Sequence, residues 1–452
     1  MASSKQASWR GAIGDSAYAK CAKHLLPLLV IFYVLAYIGR SNLGYAALTM
    51  NEELGISAAA YGLVAGIFFI GYFVFEVPSN IIMDKVGARK WIARILVSWG
   101  IIVMLMSTIQ NIWALYAFRF LVGVAEAGFF PGVVLYLSRW FLGRDSAKVI
   151  AMFMLAIPVS YMIGAPLSGY ISDNISWFGL SSWRWIFLLE GLPSIIGGIV
   201  CLKVLPDRPA DVKWLTDEEK TWLATSLAAE AARKPVQAKK YFSKEAFFNY
   251  RMWILLVVYF AVELGEYGLG FWTPLIINGL GDLSATTVGW LTSATYVLGA
   301  ITMVWWSHRS DRLRERKWHC VVPLVLCAIA MATIGNLTGS FFSVVMLAII
   351  IACVYALFGP FWSLTDYYLT GPAAAVGIAM VNSFGNLAGF ASPTLIGVMQ
   401  ERTGQEFAGF IVIGVIMVVA AVLVMVFVKN DELRQMEDEA AQAAAAEAPV
   451  EG

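Results

Sequence analysis

The chain has 452 residues, 59% of them hydrophobic and 14% charged, at a mean hydropathy of +0.71. A soluble domain carries roughly 25% charged residues, so this composition excludes a water-soluble globular protein. The formal net charge of +1 says nothing about partners until the charges are placed on a topology.

Repeated apolar runs of about 20 residues each match a helix crossing a hydrocarbon core of roughly 30 Å, whereas a transmembrane barrel would show short alternating segments. The expected fold class is therefore an all-α polytopic membrane protein. Residues 1–24 lack a signal-peptide core and read as a cytoplasmic tail. Spans are predicted near 25–47, 59–83, 91–108, 112–137, 147–172 and 183–205, forming an N-terminal six-helix bundle over 25–205. A partly amphipathic cytoplasmic linker, 206–250, leads to spans near 251–279, 286–307, 319–337, 341–366, 372–399 and 406–429, a C-terminal six-helix bundle over 251–429. The alanine-rich segment 430–452 reads as an acidic cytoplasmic tail. Twelve spans in two pseudo-symmetric bundles result.

Lys and Arg crowd the first tail, DKVGARKWIAR, SRWFLGRDSAK, the linker and HRSDRLRERK, while the alternate loops hold little beyond Arg402 and Arg184. The positive-inside rule then puts both termini in the cytoplasm of a multi-pass inner-membrane protein. After the second span of each half an aspartate precedes a basic turn, in NIIMDKVGARK and SHRSDRLRERK. Asp84, Arg89, Asp311 and Arg312 are read as a cytoplasmic gate that clamps neighbouring helix ends as two halves rock. GAPLSG (164–169) and NSFGNLAGFASP (382–393) place small residues and proline where spans pack closely or bend.

Arg40, Arg119 and Glu126 lie well inside apolar spans, where an ionised group costs several kcal/mol unless it faces a polar cavity and a partner. A rise of 1.5 Å per residue puts Arg40 and Arg119 each roughly 10 Å below the outer surface, and Glu126, seven residues on, roughly 10 Å deeper on the same face. Tyr72 and Asn382 come out near mid-membrane. The arginines suit bidentate binding of carboxylates at a charge that never titrates away. Glu126 suits the proton, since burial and neighbouring cations act on it in opposite directions. A structural bridge between Glu126 and Arg119 is the plain alternative. With Glu126 protonated, the trio presents two positive charges, matching a dicarboxylate.

Glu76, Tyr45, Tyr267, Trp362 and Asn386 are further pathway candidates, although aromatics at this density mostly pack or face lipid. Glu190, Glu263 and Glu266 read first as buried hydrogen-bonding groups, and Asp366 as a gate or cap. Cysteines 21, 201, 320, 327 and 353 have no metal spacing, and neither a metal nor a disulfide is assigned. His24, His308 and His319 are isolated. With no nucleophile elbow, metal motif or phosphate loop, the chain does not read as an enzyme.

The passages GRSNLGYAALTMN (39–51), GYFVFEVPSNIIMDKVGARKW (71–91), RFLVGVAEAGFFPGVVLYLSRWF (119–141), GLGFWTP (268–274) and VNSFGNLAGFASPTLIG (381–397) resemble the major facilitator superfamily. Within it they are most similar to the anion:cation symporters of the bacterial tartrate and phthalate permease branch. The resemblance spans all twelve predicted helices. It implies alternating access, uptake of an organic anion with protons, a substrate carboxylate on Arg40 assisted by Tyr72, coupling through Arg119 and Glu126, and a second-half contact from Asn382. One departure is Gly39 in Gly39-Arg40-Ser41-Asn42, where many relatives carry aspartate, which leaves coupling to Glu126. The expected substrate is a tartrate-like hydroxy dicarboxylate, with a phthalate-like carboxylate next, then anion exchange or efflux without protons, and a membrane anion receptor as a different class. No cofactor beyond a co-transported proton is expected. The expected partners are a small organic anion, H+ and the lipid bilayer, without nucleic acid, for a functional monomer.

Overall fold

A computed structural model describes residues 10–233, 250–337, 339–369, 374–405, 407–430 and 435. Residues 1–9, all of 234–249 in the linker, nearly all of the acidic tail and the side chain of Asp366 lie outside that set. The described helices are α1 Gly11–Glu53, α2 Ala58–Val86, α3 Ala88–Leu105, α4 Ile112–Glu126, α5 Phe129–Leu137, α6 Gly143–Met154, α7 Ala156–Asn174, α8 Ser182–Val204 and α9 Asp217–Arg233. They continue with α10 Tyr250–Asn278, α11 Ala285–Leu313, α12 Lys317–Thr333, α13 Phe342–Tyr368, α14 Ala374–Asn386, α15 Ala388–Thr403 and α16 Ala408–Phe427. Among the described residues, eleven helical stretches are long and apolar enough to cross a membrane. The remaining expected span, 372–399, is divided into the shorter α14 and α15, joined through a tight bond from the Leu387 N–H to the Phe384 carbonyl at 3.1 Å.

Two other expected spans are also interrupted, each where proline withholds a backbone donor. Pro158 cannot bond to Met154, and α6 ends there. Pro131 cannot bond to Ala127, which is extended, and Gly128 then adopts φ +83 before α5 begins. That left-handed residue must be small: an added Cβ would lie 2.6 Å from Ser79 Oγ, and a side chain at positive φ is itself strained.

Cα packing divides the chain into two units. The first comprises residues 1–50 and 67–238, and the second 51–66 and 239–452. In the first unit α3 and α8 run in close contact because Gly100 meets the Gly191 carbonyl and Gly198 meets the Ala93 carbonyl with no side chain between. Such small-residue contacts hold membrane helices by dispersion where no hydrophobic force acts between them. Gly71 and Gly123 do the same between α2 and α4, against Phe120 and Phe68.

The expected tail 1–24 is helical from Gly11 and continuous with the first span, and the linker docks on it. Glu219 on α9 accepts from Lys20 Nζ at 2.8 and 2.9 Å and from Ser16 Oγ at 2.6 Å. Arg10 pairs with Asp145, His24 stacks on Trp214, and Glu230 accepts the N–H of Gly143 at the start of α6. Burial of Glu219 acts to raise its carboxyl, but the Lys20 and Ser16 hydrogen bonds outweigh that and hold it down at about 2.

In the second unit the first turns of α2 pack on α10 and α15. Glu401 accepts from Ser57 Oγ at 2.7 Å and from the Ala59 N–H at 3.0 Å, capping α2 from α15, and Tyr61 donates to the Phe271 carbonyl at 3.0 Å. Gly62 and Gly397 carry no side chain where the Pro393 and Ala58 carbonyls approach. Residues 51–66, which include the start of the predicted span 59–83, group by packing with α10 and α15 through these glycine-mediated backbone contacts.

Candidate functional site

The charged trio of the first unit is assembled by α1, α2 and α4. Gly123 lets α4 approach α2 at Phe68, which brings Arg119 and Glu126 against the Phe68–Tyr72 face. Arg40, Arg119 and Glu126 are 7%, 1% and 0% exposed. Arg40 donates from Nε to Glu126 Oε1 at 2.7 Å, and its Nη2 forms an ion pair with the same oxygen at 2.5 Å. The other carboxylate oxygen, Oε2, is buried without a hydrogen-bond partner among the described residues. A long arginine side chain thus spans the depth offset expected between Arg40 and Glu126.

Three rings surround the Arg40 guanidinium, with centroids 4.7 Å away for Tyr37, 5.2 Å for Phe68 and 5.4 Å for Tyr72. Arg119 lies over the same Phe68 ring at 5.2 Å. Ring faces attract a cation while presenting an apolar wall. Tyr37 and Phe68 were not singled out from the sequence; Phe68, one turn before Tyr72 on α2, carried the helical-periodicity signal for a shared face. Glu76 follows one turn after Tyr72 and is also buried, as is Tyr45 on α1. At Gly39 an added Cβ would lie 2.6 Å from Trp99 Cζ2, so the indole occupies the space a side chain there would need.

The other site candidates belong to the second unit. Asn382 is half-buried on α14. Tyr267 on α10 donates to Asn386 Oδ1 at 3.1 Å, and Trp362 on α13 meets Tyr259 edge-on at 5.0 Å. Glu263 and Glu266 are buried on α10.

The basic loops pair differently from the expected gate. Asp84 bonds to Arg139 at 2.9 Å, tying α2 to the residues just after α5, while Arg89 bonds to Asp207 at 3.2 Å. Asp311 bonds to Arg316 at 2.7 Å, and Arg312 is exposed. Of the four residues expected at a cytoplasmic gate, Asp84, Arg89 and Asp311 form ion pairs, with Arg139, Asp207 and Arg316 respectively.

A helical membrane fold with buried arginines and a carboxylate is the arrangement expected of a transporter of small solutes. The sequence profile of the Major Facilitator Superfamily matches residues 29–393, and the chain belongs to that family. It is 42% identical over 411 residues to an Agrobacterium vitis protein named "Putative tartrate transporter", covering 91% of each chain. It is also 41% identical to the "Quinolone resistance transporter" of Acinetobacter baumannii, covering 88% of this chain and 92% of that one. Its fold is similar to an inward-facing, unoccupied crystal structure of a bacterial homologue of the human lysosomal transporter Spinster. That match has a TM-score of 0.73 at 16% identity and covers 92% of this chain and 98% of the other. The chain is a multi-pass membrane transporter and not an enzyme.

Proposed function

We propose that this transporter imports an organic anion, a tartrate-like hydroxy dicarboxylate, together with a proton across the bacterial inner membrane, with both termini in the cytoplasm. The observation that carries the reading is the Arg40–Glu126 pair. A substrate carboxylate and Glu126 compete for one guanidinium. Protonating Glu126 removes the competitor, so the trio changes from one net positive charge to two and holds a dianion. Losing the proton restores the bridge and expels the anion, which is the direction needed for release into a less acidic compartment. Arg119 contributes the second fixed charge, and Tyr72 the hydrogen bond beside it. Asn382 is assigned to the substrate's hydroxyl groups. Asp84 with Arg139 and Asp311 with Arg316 serve as cytoplasmic clamps.

The name of the Agrobacterium vitis relative supports tartrate as the first anion to test. The rings around Arg40 favour a planar aromatic carboxylate such as phthalate as the second. The quinolone-resistance relative supports a second reading, exchange or efflux. Reconstituted protein supplied with labelled tartrate and an imposed pH gradient, inside alkaline, decides between them. Concentrative uptake with alkalinisation of the outer medium is expected; accumulation that ignores the gradient sinks proton coupling.

A further inference from the structure

A second carboxyl is buried in the first unit, on the far side of α1 from the trio. Glu190 on α8 is 3% exposed, and its Oε1 accepts from Ser168 Oγ on α7 at 2.6 Å. Its Oε2 carries no well-formed hydrogen bond among the described residues, and the Asn42 amide on α1 is turned toward the carboxyl as a second neutral donor. Ser168 and Asn42 are each 1% exposed. An ionised carboxylate held only by the neutral groups of Ser168 and Asn42 is costly in such a place. Neither of these neighbours carries a positive charge.

The packed neighbours do not bring one. On α1 the nearest cation, Arg40, is bonded to Glu126. On α3, which lies along α8, Trp99 offers only a neutral indole N–H and Gly100 no side chain, and Arg94 donates to the Ala125 carbonyl. Arg184, earlier on α8, donates to the Ser107 and Ile109 carbonyls, and the titratable groups of α7 are the buried Tyr161, the exposed Tyr170 and Asp173 near that helix's exposed end, none of them a cation. What the turn does offer is oxygen. Half a rotation of the Asn42 amide presents its carbonyl, and Pro193 within α8 has no N–H for the Leu189 carbonyl beside Glu190.

We propose that Glu190, Ser168 and Asn42 form a monovalent cation site, occupied by H+ or Na+, separate from Glu126. Carboxylate, hydroxyl, amide and freed carbonyl oxygens are the donor types that hold coupling ions within membrane bundles. Asn42 and Arg40 lie two residues apart on α1, on opposite faces. Occupancy behind the helix therefore sets the rotation at which Arg40 is presented in front, and this gives the transporter a second point of ion coupling. The proposal deepens the symport reading, but its test needs no organic anion and so fails independently of it.

Infrared difference spectra of the purified full chain, recorded from about pH 5 to 9 and with NaCl exchanged for choline chloride, isolate the carboxyl signal lost in Glu190→Gln. A carboxylic-acid band that titrates with pH and ignores NaCl identifies the proton. A carboxylate band that shifts with NaCl, with radioactive sodium bound at one per chain, identifies Na+. In either case Ser168→Ala, which keeps the carboxyl, moves the midpoint by about tenfold, the effect of one lost hydrogen bond to a charged group. Should Glu190→Gln not fold, the Ser168→Ala shift and sodium binding to the wild type carry the test. A Glu190 signal insensitive to both pH and sodium overturns the site, as does an unchanged midpoint in Ser168→Ala.

Discussion

Arg40 donates Nε to Glu126 Oε1 at 2.7 Å and forms an ion pair with the same oxygen through Nη2 at 2.5 Å, while Glu126 Oε2 is buried without a hydrogen-bond partner among the described residues. Glu126 therefore meets Arg40 through one of its two oxygens, and under the proposed symport a substrate carboxylate offering both oxygens to the guanidinium fork would be the better partner.

Arg40→Ala is expected to weaken tartrate binding by a hundredfold or more, on the order of 3 kcal/mol for truncating one side of a buried charge pair. Arg40→Lys should recover little, because a point charge lacks the planar fork. Ligand-induced thermal stabilisation of purified protein measures both. Wild-type affinity in both variants would remove Arg40 from the binding site.

Glu126→Gln mimics the protonated acid. It should preserve exchange between equal tartrate pools and abolish accumulation driven by a pH gradient, so that the ratio of the two rates changes by at least about tenfold. Loss of both modes together would make Glu126 a structural bridge.

Gly128→Ala places a Cβ at φ +83 against Ser79. A destabilisation of about 1–3 kcal/mol is expected, read as a lowered unfolding temperature in detergent. Gly128→Asn, which tolerates this conformation better, should be milder. Equal temperatures for all three proteins would mean that the break between α4 and α5 is not held by this residue.

The α9 strap should be insensitive to pH across the neutral range. The Glu219 carboxyl is depressed to about 2, so its contribution is complete above the ordinary carboxylate value and is lost only as pH falls through about 2. Glu219→Gln removes the tie to Lys20 at every pH. Hydrogen exchange in Trp214–Leu223 should quicken by about tenfold in that variant and stay unchanged in the wild type between pH 6 and 8.

Asp84→Asn should slow transport while barely moving the unfolding temperature, since the Asp84–Arg139 pair is exposed and such pairs contribute about 0–1 kcal/mol. A clamp shows itself in rate rather than in stability. An unaltered turnover in Asp84→Asn and Asp311→Asn would leave these pairs without a gating role.

Hydropathy alone specified the helical membrane class, because apolar length is a one-dimensional property of the chain and charge inside it is expensive wherever the helix lies. The same cost singled out Arg40, Arg119 and Glu126, and the spacing of Arg119 and Glu126 put them on one face. The sequence could not say which arginine Glu126 would be seen to hold, that Tyr37 and Phe68 close around Arg40, or that Trp99 fills the space at Gly39. It also could not give Asp84 to Arg139, Asp311 to Arg316, or residues 51–66 to the second unit. Those choices depend on helix rotation and on how closely glycines let two backbones approach. A linear pattern names the residues that must be accommodated; only packing in three dimensions decides which neighbour accommodates each one.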